Sequence, residues 1–210
     1  MIFSIGQEFI LRHARYNQLT TNLQPTMALK ATIFKAELQI ADMDRNHYRT
    51  HVVTIARHPS ENDERMMARL LVFALHSDEG LEFTKGLSTE DEPDVWQKNL
   101  SGDIKLWMEV GQPDIKRIRK ACGRASQVFI YTYNQRAAEV WWRHNQVALG
   151  RFGNLTVVSL PEDAIKSLAN LTQRSMHLQC TIQDGQVWMG DANDSVFIKL
   201  STLKEADAAS

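Results

Sequence analysis

The sequence predicts a mixed α/β domain, in which a central sheet with parallel and antiparallel strands is flanked by helices. Hydrophobic residues alternate with a period of two near the start of the main segment, and later they recur at helical spacing. Short alternating runs separated by turn residues return near the C-terminus. The predicted order is a hairpin, a helix, three strands, a helix, a strand, a helix, a strand, a helix and a three-stranded meander. This order favours a mixed sheet over a doubly wound parallel sheet.

The composition is that of an ordinary globular protein with no overall attraction to nucleic acid. Of the 210 residues, 43% are hydrophobic and 23% are charged, and the net charge is −1. Binding of DNA or RNA therefore requires a local basic patch. Cys122 and Cys180 lack the spacing of a metal site, so we expect free thiols in a reducing compartment. No stretch approaches the ~20 apolar residues of a membrane helix and no signal-peptide pattern is present, so we expect a cytoplasmic protein.

The chain divides into three segments of unequal size. Residues 1–26 are polar and end just before a second methionine, Met27, so we interpret them as an N-terminal extension, with Met27 as an alternative start of translation. Residues 27–203 are predicted to form one domain, and residues 204–210 a flexible tail. The sequence does not indicate an oligomeric state.

A hairpin and a helix open the predicted domain. Residues 31–40 and 48–56 alternate like strands around a polar turn. The following helix is predicted to begin at Ser60 as the N-cap, with acidic residues in its first turn. Its apolar stripe, extended backward, places Glu64 on the inward face. A carboxylate there needs a partner, which is either an arginine such as Arg57 or Arg69, or a cation shared with other acids.

Two further acids lie on segments that are predicted to be neighbours in the sheet. Asp94 precedes a short strand, and Glu109 lies near the end of the strand at residues 104–110, which Gly111 terminates. Two carboxylates on adjacent strands suit Mg²⁺, which prefers oxygen ligands. Two simpler interpretations stay open. Asp94 could cap a turn, and Glu109 could pair with Lys105 or with an arginine of the next helix.

The next helix is strongly basic. Its apolar stripe is short, and its polar positions carry most of the basic residues in this part of the chain: Lys116, Arg117, Arg119, Lys120 and Arg124. The helix is either a binding surface for nucleic acid or a solvated face. Beyond it, residues 128–133 form an apolar central strand, Asn134 caps a helix, and a type I′ turn is expected at Asp184-Gly185 in the closing meander.

Several segments together resemble the bacterial YaeQ family: residues 56–67, 91–96, 106–111 with Pro113, 120–122, 131–134 and 181–185. The likeness extends from Met27 to about Leu203. The resemblance implies a variant of the PD-(D/E)XK nuclease fold, with a restriction-endonuclease-like core, an N-terminal hairpin and a C-terminal β-meander.

The resemblance also implies roles for individual residues. Asp94 and Glu109 would be the two motif acids that bind Mg²⁺ or Mn²⁺, and Glu64 would be the acid of the first core helix, which supports the metal or orients a water. The lysine that normally follows the second acid by two residues is absent, because Gly111 occupies that position. The basic helix offers Lys116 and Lys120 instead, and we favour Lys120 as the catalytic cation. Arg117 and Arg119 would join these two lysines in contacting nucleic acid.

Two functions compete on this basis. One is metal-dependent hydrolysis of phosphodiesters in DNA or RNA through Glu64, Asp94 and Glu109. The other is a non-catalytic binding protein of nucleic-acid metabolism or transcription, built on a degenerate nuclease fold, which the absence of a lysine at position 111 favours. Hydrolysis of a sugar or a small phosphate by the same acids is a third and weaker hypothesis.

Overall fold

A computed structural model describes residues 31–85 and 91–207. The predicted N-terminal extension at residues 1–26 lies outside the described residues, as do residues 86–90 of the acidic stretch before Asp94 and residues 208–210 of the predicted tail. The division into extension, domain and tail stays a prediction.

The described residues form fifteen elements in nearly the predicted order. The four helices are α1 (Asp63–Leu75), α2 (Ile115–Cys122), α3 (Gln135–Leu149) and α4 (Glu162–Ala169). The strands are β1 (Thr32–Asp42), β2 (His47–Arg57), β3 (Leu81–Phe83), β4 (Val95–Lys98), β5 (Ile104–Val110), β6 (Ala125–Thr132), β7 (Leu155–Ser159), β8 (Ser175–Gln183), β9 (Gln186–Gly190), β10 (Ser195–Ile198) and β11 (Ser201–Lys204). The predicted mixed α/β class is therefore confirmed. β11 is an addition to the predicted order, and its last residue is Lys204, where the tail was predicted to begin.

The strands divide into two mixed sheets rather than one central sheet. Sheet A has the order β10-β9-β8-β1-β2, and sheet B has the order β11-β7-β6-β5-β4-β3. Within sheet B, β5, β6 and β7 are parallel, and in sheet A the pair β1–β8 is parallel. The order of elements along a chain does not specify which strands pair across long connections, which is why the sequence could not separate the two sheets.

Two hydrophobic cores fill the spaces between four layers. The larger core lies between the two sheets, where α1 and α4 pack with residues such as Leu38 of sheet A and Met108 of sheet B. The smaller core lies on the other face of sheet B, beneath α2 and α3, around the fully buried Trp107. Exposed and buried residues alternate along sheet A, as expected of a sheet that meets water on one side, and its outer face is polar except for a few exposed apolar side chains.

Local signals at turns and caps are mostly confirmed. Asp184 and Gly185 both have positive φ, 52° and 69°, as a type I′ turn requires. Asn134 caps α3 and accepts a hydrogen bond from the backbone N–H of Ala137. The prediction of Ser60 as the cap of α1 is wrong, because Asn62 caps this helix. This shift of two residues changes which acid of the segment is buried.

None of the helices among the described residues is long and apolar enough to cross a membrane.

Candidate functional site

Asp94 lies directly before β4 and is almost completely buried, with 1% of its surface exposed. Arg65 of α1 donates from Nη2 to both carboxylate oxygens, at 2.7 Å and 2.8 Å. The backbone N–H of Val110 donates to Oδ2 at 2.8 Å. Asp94 therefore does more than cap a turn, because it connects α1 to the ends of β4 and β5.

A second acid, Glu61, completes a buried network with two arginines of α1. Arg65 Nη1 donates to Glu61 Oε1 at 2.9 Å, and Arg69 Nη1 donates to both Glu61 oxygens at 3.2 Å and 3.1 Å. Arg69 Nε also lies 3.3 Å from Asp94 Oδ1. Residues 61, 65 and 69 are spaced by four, so their side chains share one side of the helix start. Two carboxylates and two guanidinium groups thus neutralise one another in the interior.

Glu109 is buried on the opposite face of sheet B, beneath α2. Arg117 donates from Nε to Oε1 at 2.7 Å and from Nη2 to Oε2 at 3.1 Å, and Trp107 Nε1 donates to Oε1 at 2.8 Å. Of the open interpretations of Glu109, pairing with a helix arginine is therefore the one observed. Burial raises the pKa of Glu109 to about 7, the nearby charge of Asp94 adds to this rise, and the hydrogen bonds from Arg117 and Trp107 offset it in part.

A cavity of about 290 Å³ lies at the carboxyl end of β5, where the two networks meet. Arg65 reaches it from one face of sheet B, and Arg117 and Glu109 reach it from the other. The rest of the lining comes from the last residue of β5, the segment after it and a tyrosine beyond β6: Val110, Gly111, Gln112, Pro113 and Tyr133. In α/β sheets, ligands commonly bind outside the carboxyl ends of parallel strands, and β5 and β6 are parallel here.

The backbone conformation at position 111 favours glycine. The φ of Gly111 is +114°, and its N–H donates to the carbonyl of Tyr131 at 2.9 Å as the chain leaves β5. Residues with a Cβ rarely adopt such a φ. A lysine at this position would therefore strain the backbone, although no atom would obstruct its Cβ.

The other predicted site residues lie around this centre without joining it. Glu64 of α1 is half-buried, and no described residue forms a hydrogen bond or ion pair with it. Lys120 forms an ion pair with Asp91 on the surface. Lys116 and Arg119 are exposed on α2. The structure therefore places Glu109 in the wall of the cavity and Asp94 behind it, bonded to the cavity residue Arg65, but it does not bring Glu64 or Lys120 into contact with these acids.

The acids as they stand do not fit a hard cation. Among the described residues, no group of three or more His, Cys, Asp and Glu side chains is arranged to hold a metal ion. All four oxygens of Asp94 and Glu109 accept hydrogen bonds from arginine, backbone or indole N–H groups. Mg²⁺ would have to displace these donors to reach the carboxylates. The predicted metal and catalytic roles stay predictions.

The sequence analysis missed Glu61 and Arg65, and it named Arg69 only as a possible partner of Glu64, whereas Arg69 contacts Glu61 and Asp94. The available signal was the spacing of four residues between Glu61, Arg65 and Arg69 around the start of α1. The prediction of Ser60 as the cap hid this signal, because it started the helix two residues early and indicated Glu64 as the buried acid.

The fold and site define a class of mixed α/β protein. Two buried acids lie at one end of the strands of sheet B, and each forms an ion pair with an arginine. A sequence model described as "YaeQ protein" matches residues 27–200. The chain belongs to the YaeQ family, as the resemblance implied.

Relatives and solved structures agree with this assignment. The YaeQ proteins of Salmonella typhi and Escherichia coli K12 are 48% and 45% identical to this chain over 179 residues, which are 85% of the chain and 99% of each relative. The crystal structure of the YaeQ protein from Xanthomonas axonopodis pv. citri matches with a TM-score of 0.80 and 46% identity, covering 83% of this chain and 98% of that one. The structure from Pseudomonas syringae matches with a TM-score of 0.80 and 34% identity, covering 83% and 97%.

We expect Asp94→Ala to lower the free energy of unfolding by about 3–5 kcal/mol, because it leaves two buried arginines with only one acid. Urea denaturation followed by circular dichroism measures this change. Asp91→Ala is the matched control: it removes an exposed ion pair with Lys120, and because exposed ion pairs contribute little to stability, its effect should be far smaller. Equal effects of the two substitutions would contradict the structural role of Asp94.

We expect Gly111→Ala and Gly111→Lys each to destabilise the protein by roughly 1–3 kcal/mol, because both require a side chain at a left-handed φ. Gly123→Ala is the control, since Gly123 has no positive φ and its added Cβ would meet neighbours at ordinary distances. The midpoints of urea unfolding compare the three variants. A Gly111→Lys variant as stable as the wild type would show that the backbone does not exclude the lysine.

The raised pKa of Glu109 predicts a particular dependence of stability on pH. Between the ordinary value of 4.5 and about 7, the folded state binds a proton that the unfolded state releases, so the free energy of unfolding falls as pH rises through this window. Glu109→Gln lacks this contribution. We therefore expect the stability of the wild type relative to Glu109→Gln to decrease from pH 4.5 to pH 7. Denaturation curves at stepped pH measure the difference, and parallel profiles would contradict the assignment.

Proposed function

We propose that the chain is a nucleic-acid-binding protein whose cavity at the end of β5 accepts a phosphate group through arginine, without a metal ion. The single observation that carries this proposal is the position of Arg65 and Arg117. Both line the same cavity, and each is oriented by a buried carboxylate.

Arginine suits this role better than a metal site does. Its planar guanidinium group carries a permanent charge and presents several donors, and it binds phosphate in defined geometry. The side chains of Arg65 and Arg117 are only 11% and 22% exposed, so little water competes for them and their orientation is fixed before a ligand arrives. Preorganised donors lose less entropy on binding.

The acid that lines the cavity, Glu109, repels an anion less than an ordinary carboxylate would. Arg65, Arg69 and Arg117 face Glu61, Asp94 and Glu109, so the net charge is zero when all six are ionised. Burial raises the pKa of Glu109 to about 7, so this acid repels a bound anion less than a carboxylate of ordinary pKa would.

Helix α2 extends this basic surface away from the cavity. Lys116 and Arg119 are exposed on it, Lys120 lies beside Asp91, and Arg124 Nη1 donates to the carbonyl of Asp91 at 3.1 Å. A local run of cations meets the requirement set by the net charge of −1, because phosphate contacts supply most of the affinity for nucleic acid.

We expect the protein to bind DNA or RNA oligonucleotides in the presence of EDTA, with an affinity that falls as salt rises. Lys116→Gln and Arg119→Gln should each weaken binding and reduce the slope of log K against log salt by about 1. Fluorescence anisotropy across a salt series measures both quantities. Lys199→Gln is the control, since this exposed lysine follows β10 in sheet A, away from α2. Binding that is absent without Mg²⁺, or that responds to all three substitutions alike, would contradict the proposal.

Metal-dependent phosphodiester hydrolysis is the second candidate. The observation that favours it is the pairing of β4 with β5, which brings Asp94 and Glu109 to neighbouring positions at one end of sheet B. Metal-dependent hydrolysis requires Arg65 and Arg117 to break their ion pairs with Asp94 and Glu109. We expect any nuclease activity with Mg²⁺ or Mn²⁺ to be lost in Asp94→Ala and in Glu109→Ala. Activity that survives both substitutions excludes this candidate, and isothermal titration of the wild type with each cation tests binding separately.

A further inference from the structure

Among residues 31–85 and 91–207, the longest strand at an edge of sheet A has no neighbour on its outer side. β2 ends the order of this sheet and runs for eleven residues, His47–Arg57. It contains no proline, lysine or acidic residue, and its two arginines, Arg49 and Arg57, are ion-paired with Glu79 and Asp63. Proteins normally protect an edge of this length with such residues, because its unpaired N–H and C=O groups bind other strands. An edge whose only charged side chains are already paired with acids is suited to pairing with another strand.

The outer face of β2 is uncharged and contains several of the most exposed apolar side chains. Val52 is 80% exposed and Tyr48 is 63% exposed. Ile33, on the neighbouring strand beside Ala56, is 48% exposed. A cluster of this kind on one edge differs from the scattered apolar residues of ordinary surfaces.

We propose that two copies of this chain associate by antiparallel pairing of β2 with β2, around a two-fold axis at Val52. Antiparallel pairing about residue 52 places Thr50 opposite Thr54 of the second copy, and Tyr48 opposite Ala56. Val52, the central residue of the strand, lies opposite itself. A two-fold axis always creates such a self-complementary contact.

The side chains in this register complement one another. The large ring of Tyr48 meets the small Ala56 of the second copy, and it covers Ile33, which lies beside Ala56 on β1. Threonine pairs and valine pairs across strands stabilise sheets. The arrangement therefore buries the three exposed apolar residues Ile33, Tyr48 and Val52 together, and this match between large and small side chains is why we choose a second copy as the occupant.

The charges on the other face of β2 are compatible with this pairing. Arg49 is held by Glu79, and Arg57 is held by Asp63. In the paired register Arg49 lies opposite Ile55 of the second copy, so two arginines do not face each other. The eleven-residue ladder would span about 36 Å, at roughly 3.3 Å per residue.

Light scattering coupled to gel filtration of the full chain tests the oligomeric state. We expect the wild type at micromolar concentration to have twice the chain mass of 24.0 kDa, and Val52→Lys to have the mass of one chain. Val147→Lys is the matched control, because Val147 is equally exposed, at 86%, but lies on α3. It should leave the dimer intact. Circular dichroism verifies that each variant is folded.

A second experiment tests the register. Cα atoms of residues directly opposite each other in an antiparallel pair are about 4.5–5.5 Å apart, which permits a disulfide. Val52→Cys should therefore form a covalent dimer on mild oxidation, whereas Val147→Cys and the wild type, with its own Cys122 and Cys180, should not. A monomeric wild type, a Val52→Lys variant that remains a dimer, or equal cross-linking of the two cysteine variants would overturn the proposal. If the wild type is a monomer, a second copy does not bind the β2 edge, and any strand that pairs with it comes from a different molecule.

Discussion

The contact between Asp94 and the arginines of α1 is the interaction on which the rest of the site depends. Asp94 precedes β4, accepts from the backbone of β5 at Val110, and binds Arg65 and Arg69 in the layer between the two sheets. Because a buried charge without its partner costs several kcal/mol, these groups fix the position of α1 relative to the end of sheet B. The helix that fills the larger core is thereby also the helix that supplies the cavity with Arg65.

The same constraint decides which chemistry the cavity favours. Arg65 arrives from one face of sheet B and Arg117 from the other, and each is held by an acid that also belongs to this sheet. The acids that the sequence suggested as cation ligands act in the structure as supports for guanidinium groups. Asp94 lies behind Arg65, and Glu109 at the cavity wall is bonded to Arg117 and Trp107, so the donor groups of the two arginines face the cavity with their acids already paired. The proposed binding of phosphate follows from this arrangement, in which the acids hold arginines instead of a cation.

The sequence predicted what depends on local signals and missed what depends on tertiary contacts. Periodicity gave the order of elements, and Asn134 and Asp184-Gly185 were recognised because caps and turns are encoded by adjacent residues. The pairing of Asp94 with Arg65 joins residues 29 positions apart, and nothing local distinguishes Arg65 from Arg69 or Arg57 as the partner. The division of the strands into two sheets has the same cause. At the start of α1, capping by Asn62 rather than Ser60 leaves Glu61 buried and Glu64 half-exposed, so a shift of two residues changed the acid that joins the network.

The backbone conformation at Gly111 explains why this position does not suit a lysine. In the sequence it marks only a missing lysine after Glu109. In the structure its φ of +114° turns the chain out of β5, so that Val110, Gly111 and Gln112 line the cavity between the two arginines. A lysine would require this turn to be rebuilt, and it would place a third cation beside Arg65 and Arg117, which already neutralise the two acids. A glycine at position 111 and the two arginines beside it therefore belong to one arrangement. The backbone turn makes space at the end of the strand, and the guanidinium groups on either side provide its charge.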